Sequence, residues 1–187
     1  LVLRDTSNLS ALGIVKAAIE MQLLRTFQLY AVVFWYLTFG PLAALSYRIV
    51  LEMHYCWNRK LRRFNYFGRC AEVVTYLGSW LPLRLSFLVY YFSHLSSHSV
   101  VHWQLTRSAF FSLGTNANLS IFALVNNIKL GGVAMYEKDK IRRPEFNAQG
   151  QQPTPKDLIK IDRQLNWHSA LLSVLVIITF AGLTLVS

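Results

Sequence analysis

The run Ser169 to Ser187, SALLSVLVIITFAGLTLVS, contains no charged side chain. A helix of that length in a soluble protein would normally show one polar face. An apolar stretch of roughly 20 residues is instead what a helix needs to cross a bilayer. Asn166, Trp167 and His168 stand just before the run, where an interfacial anchor belongs. A second apolar stretch extends from Phe27 to Leu51, bracketed by Arg25 and Arg48; Arg48 is placed to reach the interface with its long stem. Gly40-Pro41 lies inside it and predicts a kink or a break. A third stretch, Ser79 to Leu95, carries Pro82 and Arg84. A guanidinium is costly in lipid unless it faces protein or water, so this stretch spans, re-enters or lies in the interface. With 53% hydrophobic and only 15% charged residues, the chain falls well below the ~25% charge usual in soluble domains. The expected fold class is an all-α integral membrane protein: two to three transmembrane helices, polar loops and amphipathic helices, forming one domain over residues 1–187. The sequence opens at Leu1 without Met or a signal-peptide pattern, and a native N-terminal part is expected upstream.

The formal net charge of +10 is compatible with nucleic acid, with anionic lipid or with phosphorylated substrates. Its placement decides between them. Arg59, Lys60, Arg62, Arg63 and Arg69 adjoin apolar runs, which favours membrane lipid over nucleic acid as the partner. A second basic group, Lys138, Lys140, Arg142, Arg143, Lys156, Lys160 and Arg163, precedes the last run. The positive-inside rule puts both groups on the cytoplasmic side, which favours a re-entrant or interfacial third segment. Cys56 and Cys70 have no CxxC spacing and read as unpaired thiols.

Along the chain, Asn8 and Ser10 are cap candidates for an amphipathic helix, ALGIVKAAIEMQLL. Residues 114–152 read as loop, with Gly131-Gly132 as a turn. Helix is expected to resume at Pro155, with Thr154 as its cap. His94, His98 and His102 are spaced four apart and would share one helix face, but no nearby carboxylate completes a ligand set, so no metal site is assigned. No Walker A loop and no Ser/His/Asp or Cys/His arrangement occurs. Glu52 and Glu72 are the only central acids, and they read first as ion-pair partners of neighbouring arginines.

The order of short motifs carries more information. Arg4-Asp5-Thr6 with Leu9-Ser10 precedes a helix holding Glu20. Phe34-Trp35, Gly40-Pro41 and Tyr47-Arg48 follow, then Phe67-Gly68 with Trp80, Pro82, Arg84, Leu85 and Ser86. Downstream stand Asn116, Lys129-Leu130-Gly131-Gly132, Tyr136, Arg143-Pro144 and Thr154-Pro155-Lys156-Asp157-Leu158-Ile159. In order and spacing these resemble the motifs of the CobD/CbiB family of adenosylcobinamide-phosphate synthases. The resemblance implies a multi-pass protein of the bacterial inner membrane. It implies an amide-forming step of cobalamin biosynthesis, in which the carboxylate of cobyric acid, a corrinoid, is joined to aminopropanol or its phosphate. ATP and Mg²⁺ would be used, and the candidate substrate- or phosphate-binding residues are Arg4, Asp5, Glu52, Arg84, Lys129, Gly131 and Gly132.

Three acidic motifs of that family are replaced. Leu51 to Cys56 stands where the family has N-T-L-D-S-M, and Val73-Val74-Thr75-Tyr76 where it has R-L-D-D. Leu23, Leu24, Arg25 and Phe27 fall in its E-N-x-x-D stretch. Mg²⁺ is ordinarily held by carboxylates, so whether the chain is an enzyme is left open, with Glu52 the one acid placed to substitute. The related AmpE-like proteins, which share the frame without the acids, supply the alternative of a non-catalytic membrane sensor.

Overall fold

A computed structural model describes residues 11–57, 64, 66, 68–95, 98–136 and 139–186, with the backbone alone described at 11, 133–136, 139–141, 175–177 and 179–186. Helix α1 covers Ala11–Phe39 and α2 covers Pro41–Cys56. Between them Gly40 takes φ +83°, a backbone angle open to glycine without a Cβ penalty. Pro41 then opens α2 at a position whose missing N–H costs nothing. The Gly40-Pro41 break is thus complete. Phe27 to Leu51 is not one span but parts of two helices that pack on each other through Ala31, Tyr47 and Leu51, flanked by Trp35 and Tyr55.

Helix α3 runs over Gly68–Ser93 and is about 39 Å long at the α-helical rise. Among the described residues it is the one helix long and apolar enough to cross a membrane. It takes in the third apolar stretch as far as Ser93 and extends it back to Gly68. Pro82 lies inside it. Proline has no N–H for the carbonyl four residues back, and that carbonyl, of Gly78, accepts the Trp35 indole N–H at 2.9 Å. A side chain of α1 thereby repairs the defect in α3 and locks the two helices in register. Helix α4 covers Ser99–Phe111, α5 covers Asn116–Val125 and α6 covers Pro155–Val186, the apolar C-terminal run forming its second half. At its start Asp157 accepts both the backbone N–H of Thr154, at 2.8 Å, and its hydroxyl, at 2.7 Å, which closes the first turn as a capping box does.

Two expectations for residues 114–152 are corrected. The segment NANLSIFALV is helix α5, not loop. It is buried on several sides through Ala117, Leu119, Ile121, Phe122 and Ala123, so it lacks the polar face that marks a surface helix. The fold is also not all-α. Strand β1, Leu130–Tyr136, pairs antiparallel with β2, Asp139–Phe146. The register shifts between Gly131 and Val133, and this bulge breaks the alternation by which a strand is read from sequence. The histidines do not share a face either: His94 stands in the turn after α3, and His98 immediately precedes α4. Cys56 and Cys70 are free and exposed.

One core joins these elements. Ile19, Leu23 and Phe27 of α1 meet Leu83, Phe87 and Tyr90 of α3, Phe122 of α5, and Ile161 and Leu165 of α6. Phe122 packs edge-on to Phe27 at 5.8 Å and stacks on Tyr90 at 3.8 Å between ring centroids. The base of the hairpin is fixed to this core: Ile128 and Leu130 belong to it, Lys129 N–H donates to Gln151 O at 2.8 Å, and the Asn147 amide donates to Ala123 O at 3.1 Å.

Candidate functional site

Polar groups converge where α1 meets the base of the hairpin. Glu20 is 4% exposed. Its Oε1 accepts the backbone N–H of Gly131 at 2.8 Å, and its Oε2 pairs with the Arg143 guanidinium at 2.8 Å. One carboxylate therefore ties α1 to both strands. Lys129 pairs with Glu145 at 2.9 Å across the same end of the hairpin. This hydrogen-bonded ammonium holds the Glu145 carboxyl below the usual carboxylate range. Lys16, one turn before Glu20, is half-buried. Burial pushes its pKa below the ordinary lysine value; Glu20 and Glu145 oppose the shift, and Lys129 and Arg143 add to it.

The twin glycines have different roles. Gly131 and Gly132 both have positive φ, +77° and +86°. A Cβ on Gly131 would lie 2.0 Å from Pro144 O, inside the hairpin backbone. A Cβ on Gly132 would lie 3.8 Å from Lys16 Nζ and 3.5 Å from Glu145 Oε1. Gly131 thus permits close strand approach, and Gly132 keeps open the space between Lys16 and Glu145. Four cations, Lys16, Lys129, Arg142 and Arg143, lie about the two carboxylates Glu20 and Glu145, leaving two positive charges in excess. Such an excess of positive charge attracts an anion such as a phosphate, although Lys129 and Arg143 each already hold a carboxylate.

Of the residues singled out from sequence, Lys129, Gly131 and Gly132 are brought together here. Arg84 stands elsewhere, inside α3, 3% exposed, with Nη2 donating to Ser112 O at 2.5 Å and to Gly114 O at 3.4 Å. Glu52 is exposed on α2 and pairs with Arg48 one turn away. Arg4 and Asp5 lie outside the described residues, as do the cap candidates Asn8 and Ser10 and most of the basic loop, Arg59, Lys60, Arg62 and Arg63. Glu20 and Arg143 stood out only as motif positions, and sequence reasoning missed Lys16 and Glu145. Lys16 and Glu20 are four apart on a helix, a spacing that puts them side by side.

Mg²⁺, which the family resemblance implies, does not fit the described residues. Glu20 is committed to Gly131 and Arg143, Glu52 to Arg48 and Glu145 to Lys129. No three described His, Cys, Asp or Glu side chains are grouped to hold a metal ion.

Comparison with known proteins agrees with the motif order. The family model described as CobD/Cbib protein matches residues 1–165. A cobalamin biosynthesis protein CobD of Chromobacterium violaceum is 29% identical over 181 residues, covering 93% of this chain and 57% of that protein. One of the same name from Stutzerimonas stutzeri is 26% identical over 159 residues, covering 84% of this chain and 52% of that protein. The chain thus spans about half the length of the curated relatives it matches. No solved structure matches it. The match over most of its residues, together with the motif order that runs from Glu20 to the hairpin glycines, makes the chain a member of the CobD/CbiB family.

Proposed function

We propose that the chain acts in cobalamin biosynthesis, as part of a multi-pass protein of the bacterial inner membrane. In this reading it takes part in the ATP-dependent amide-forming step, in which the activated carboxylate of cobyric acid is joined to the amine of aminopropanol or its phosphate and the activating phosphoryl-derived group leaves with the carboxylate oxygen. The base of the hairpin holds the phosphate of the amine substrate. The observation that carries the reading is the excess of cations at the base of the hairpin, with Lys16 beside Gly132 and Lys129, Arg142 and Arg143 about Glu20 and Glu145, since a phosphate dianion needs more than one cation when it leaves water. The name shared by the two relatives favours cobalamin assembly over membrane signalling.

The contribution assigned to these residues is binding and orientation. Lys16, with Lys129 exchanging Glu145 for the substrate, neutralises the phosphate, Gly132 leaves it room, and Glu20 with Arg143 fixes the glycine backbone against α1. Fixing one end of a substrate at the protein lowers the entropic cost of bringing its other end to a second reactant.

The test uses the full-length gene in a host lacking its own synthase, grown on cobyric acid plus aminopropanol as the only corrinoid route. Growth is expected with the natural gene and is expected to fail with Lys129→Gln, at unchanged protein level in the membrane. If the natural protein reaches the membrane and no growth follows, the synthase reading fails and the non-catalytic AmpE-like alternative takes its place.

A further inference from the structure

Arg84 and Glu20 are the two buried charged side chains among the described residues, at 3% and 4% exposure. Glu20 has its counter-charge. Arg84 has none: no described carboxylate forms an ion pair with it. Its Nη2 alone is used, on the carbonyls of Ser112 and Gly114, while Nε and Nη1 have no hydrogen-bond partner. The rings of Phe110 and Trp80, 5.3 and 5.9 Å from Cζ, supply only weak attraction to the cation. A guanidinium withdrawn from water without an anion is unfavourable, and folds do not retain one without cause.

A second unsatisfied group bonds the backbone of the residue before Arg84. Asn118, 1% exposed, donates its amide N–H to Leu83 O at 3.1 Å, and its Oδ1 has no partner. Asn118 stands in the first turn of α5, the helix that follows the carbonyls held by Arg84. That helix receives no side-chain cap from Thr115, so its first N–H groups are also available to an acceptor. Arg84 thus holds the connection that leads into α5, and Asn118 in the first turn of α5 holds α3 at Leu83, so the unpaired groups of both lie along the same α3–α5 packing.

We propose that this junction is a binding site for a single carboxylate of a small molecule, received by Arg84 and the N-terminus of α5. Asn118 Oδ1 accepts a hydroxyl or N–H carried by the same molecule. Charge favours a monoanion such as a carboxylate over a phosphate dianion. One isolated guanidinium neutralises a monoanion, whereas a dianion would leave a buried negative charge. The site shares no residue with the base of the hairpin and does not depend on the phosphate reading.

The test is thermal unfolding of the full-length protein in detergent, with sodium acetate compared against sodium chloride at equal ionic strength. Acetate is expected to raise the midpoint in a saturable way, as any ligand of the native state does. Arg84→Met and Arg84→Gln are expected to lose the shift, Arg84→Lys to keep part of it, and Lys129→Gln to keep it whole. A second readout covers the case in which Arg84 variants do not fold: acetate should change the fluorescence of the natural protein saturably, and Trp80→Phe should abolish the change. An acetate shift that survives Arg84→Met overturns the proposal. So does a natural protein that responds equally to acetate and chloride in both readouts, which would leave Arg84 as a clasp on the Ser112 and Gly114 carbonyls only.

Discussion

At the base of the hairpin a buried carboxylate, Glu20, meets a guanidinium at 2.8 Å and a backbone N–H at 2.8 Å. At the junction of α3 with α5 a buried guanidinium, Arg84, meets only carbonyl oxygens. Both charges sit on long helices and both are nearly inaccessible to water. The difference is what the fold supplies to each. Glu20 is complete without a ligand and acts as a bolt between α1 and the hairpin. Arg84 is incomplete, and an uncompensated buried charge points to an anion from outside the described fold. The first region also carries its surplus charge near the surface, on Lys16 and Arg142, where a phosphate can reach it.

The sharpest way to break this comparison is Gly131→Ala. The new methyl would collide with Pro144 O and the residue would keep a left-handed φ. We expect a loss of about 3–5 kcal/mol, the range of severe backbone and packing defects. Thermal unfolding reads it, and Gly132→Ala serves as the contrast. The second glycine has room for a Cβ, so only the conformational term of about 1–2 kcal/mol remains. Equal losses would mean that the close approach at Gly131 is not what fixes the hairpin.

Glu20→Gln comes next in size. The amide still accepts the Gly131 N–H, but Arg143 loses its counter-charge while its side chain is only 20% exposed. The expected cost is about 2–3 kcal/mol, as for a largely buried pair broken from one side. A near-neutral result would make Glu20 a bystander and would remove the contrast with Arg84.

The parts of this arrangement that could be read from sequence are those set by local chemistry. Gly40-Pro41 combines a residue free to take positive φ with one that can begin a helix, so the break between α1 and α2 is visible in two letters. Thr154-Pro155 marks the start of α6 by other means, a proline at the first helical position and a carboxylate, Asp157, that holds Thr154. Helix α5 was not legible, because its near-total burial removes the polar face that periodicity requires. The hairpin was hidden by Gly131-Gly132 and Pro144, residues that argue for a turn until the bulge joining them to a partner strand is known. For the site, the motif order supplied Lys129, Gly131 and Gly132 together with Glu20 and Arg143 as family positions. The convergence of Lys16 and Glu145 on them is tertiary, created when α1 docks on the hairpin. The same motif logic grouped Arg84 with these residues, although it stands in a different helix with different neighbours.

Glu52 gives the smallest expected effect and the cleanest decision about the replaced acidic motifs. Its carboxylate is half exposed and pairs with Arg48 one helical turn away on the same face of α2. Such pairs contribute little in water, because both ions remain hydrated and lose side-chain freedom to meet. Glu52→Gln is therefore expected to shift stability by no more than about 0.5 kcal/mol and to leave growth on cobyric acid and aminopropanol unchanged. The same variant separates two meanings of the ion pair. If Glu52 only steadies α2, Arg48→Gln should be equally silent. If Glu52 replaces one of the missing acids, growth should fail in Glu52→Gln at full stability and survive in Arg48→Gln. That result would move the reacting centre towards α2 and leave the base of the hairpin as a binding subsite alone.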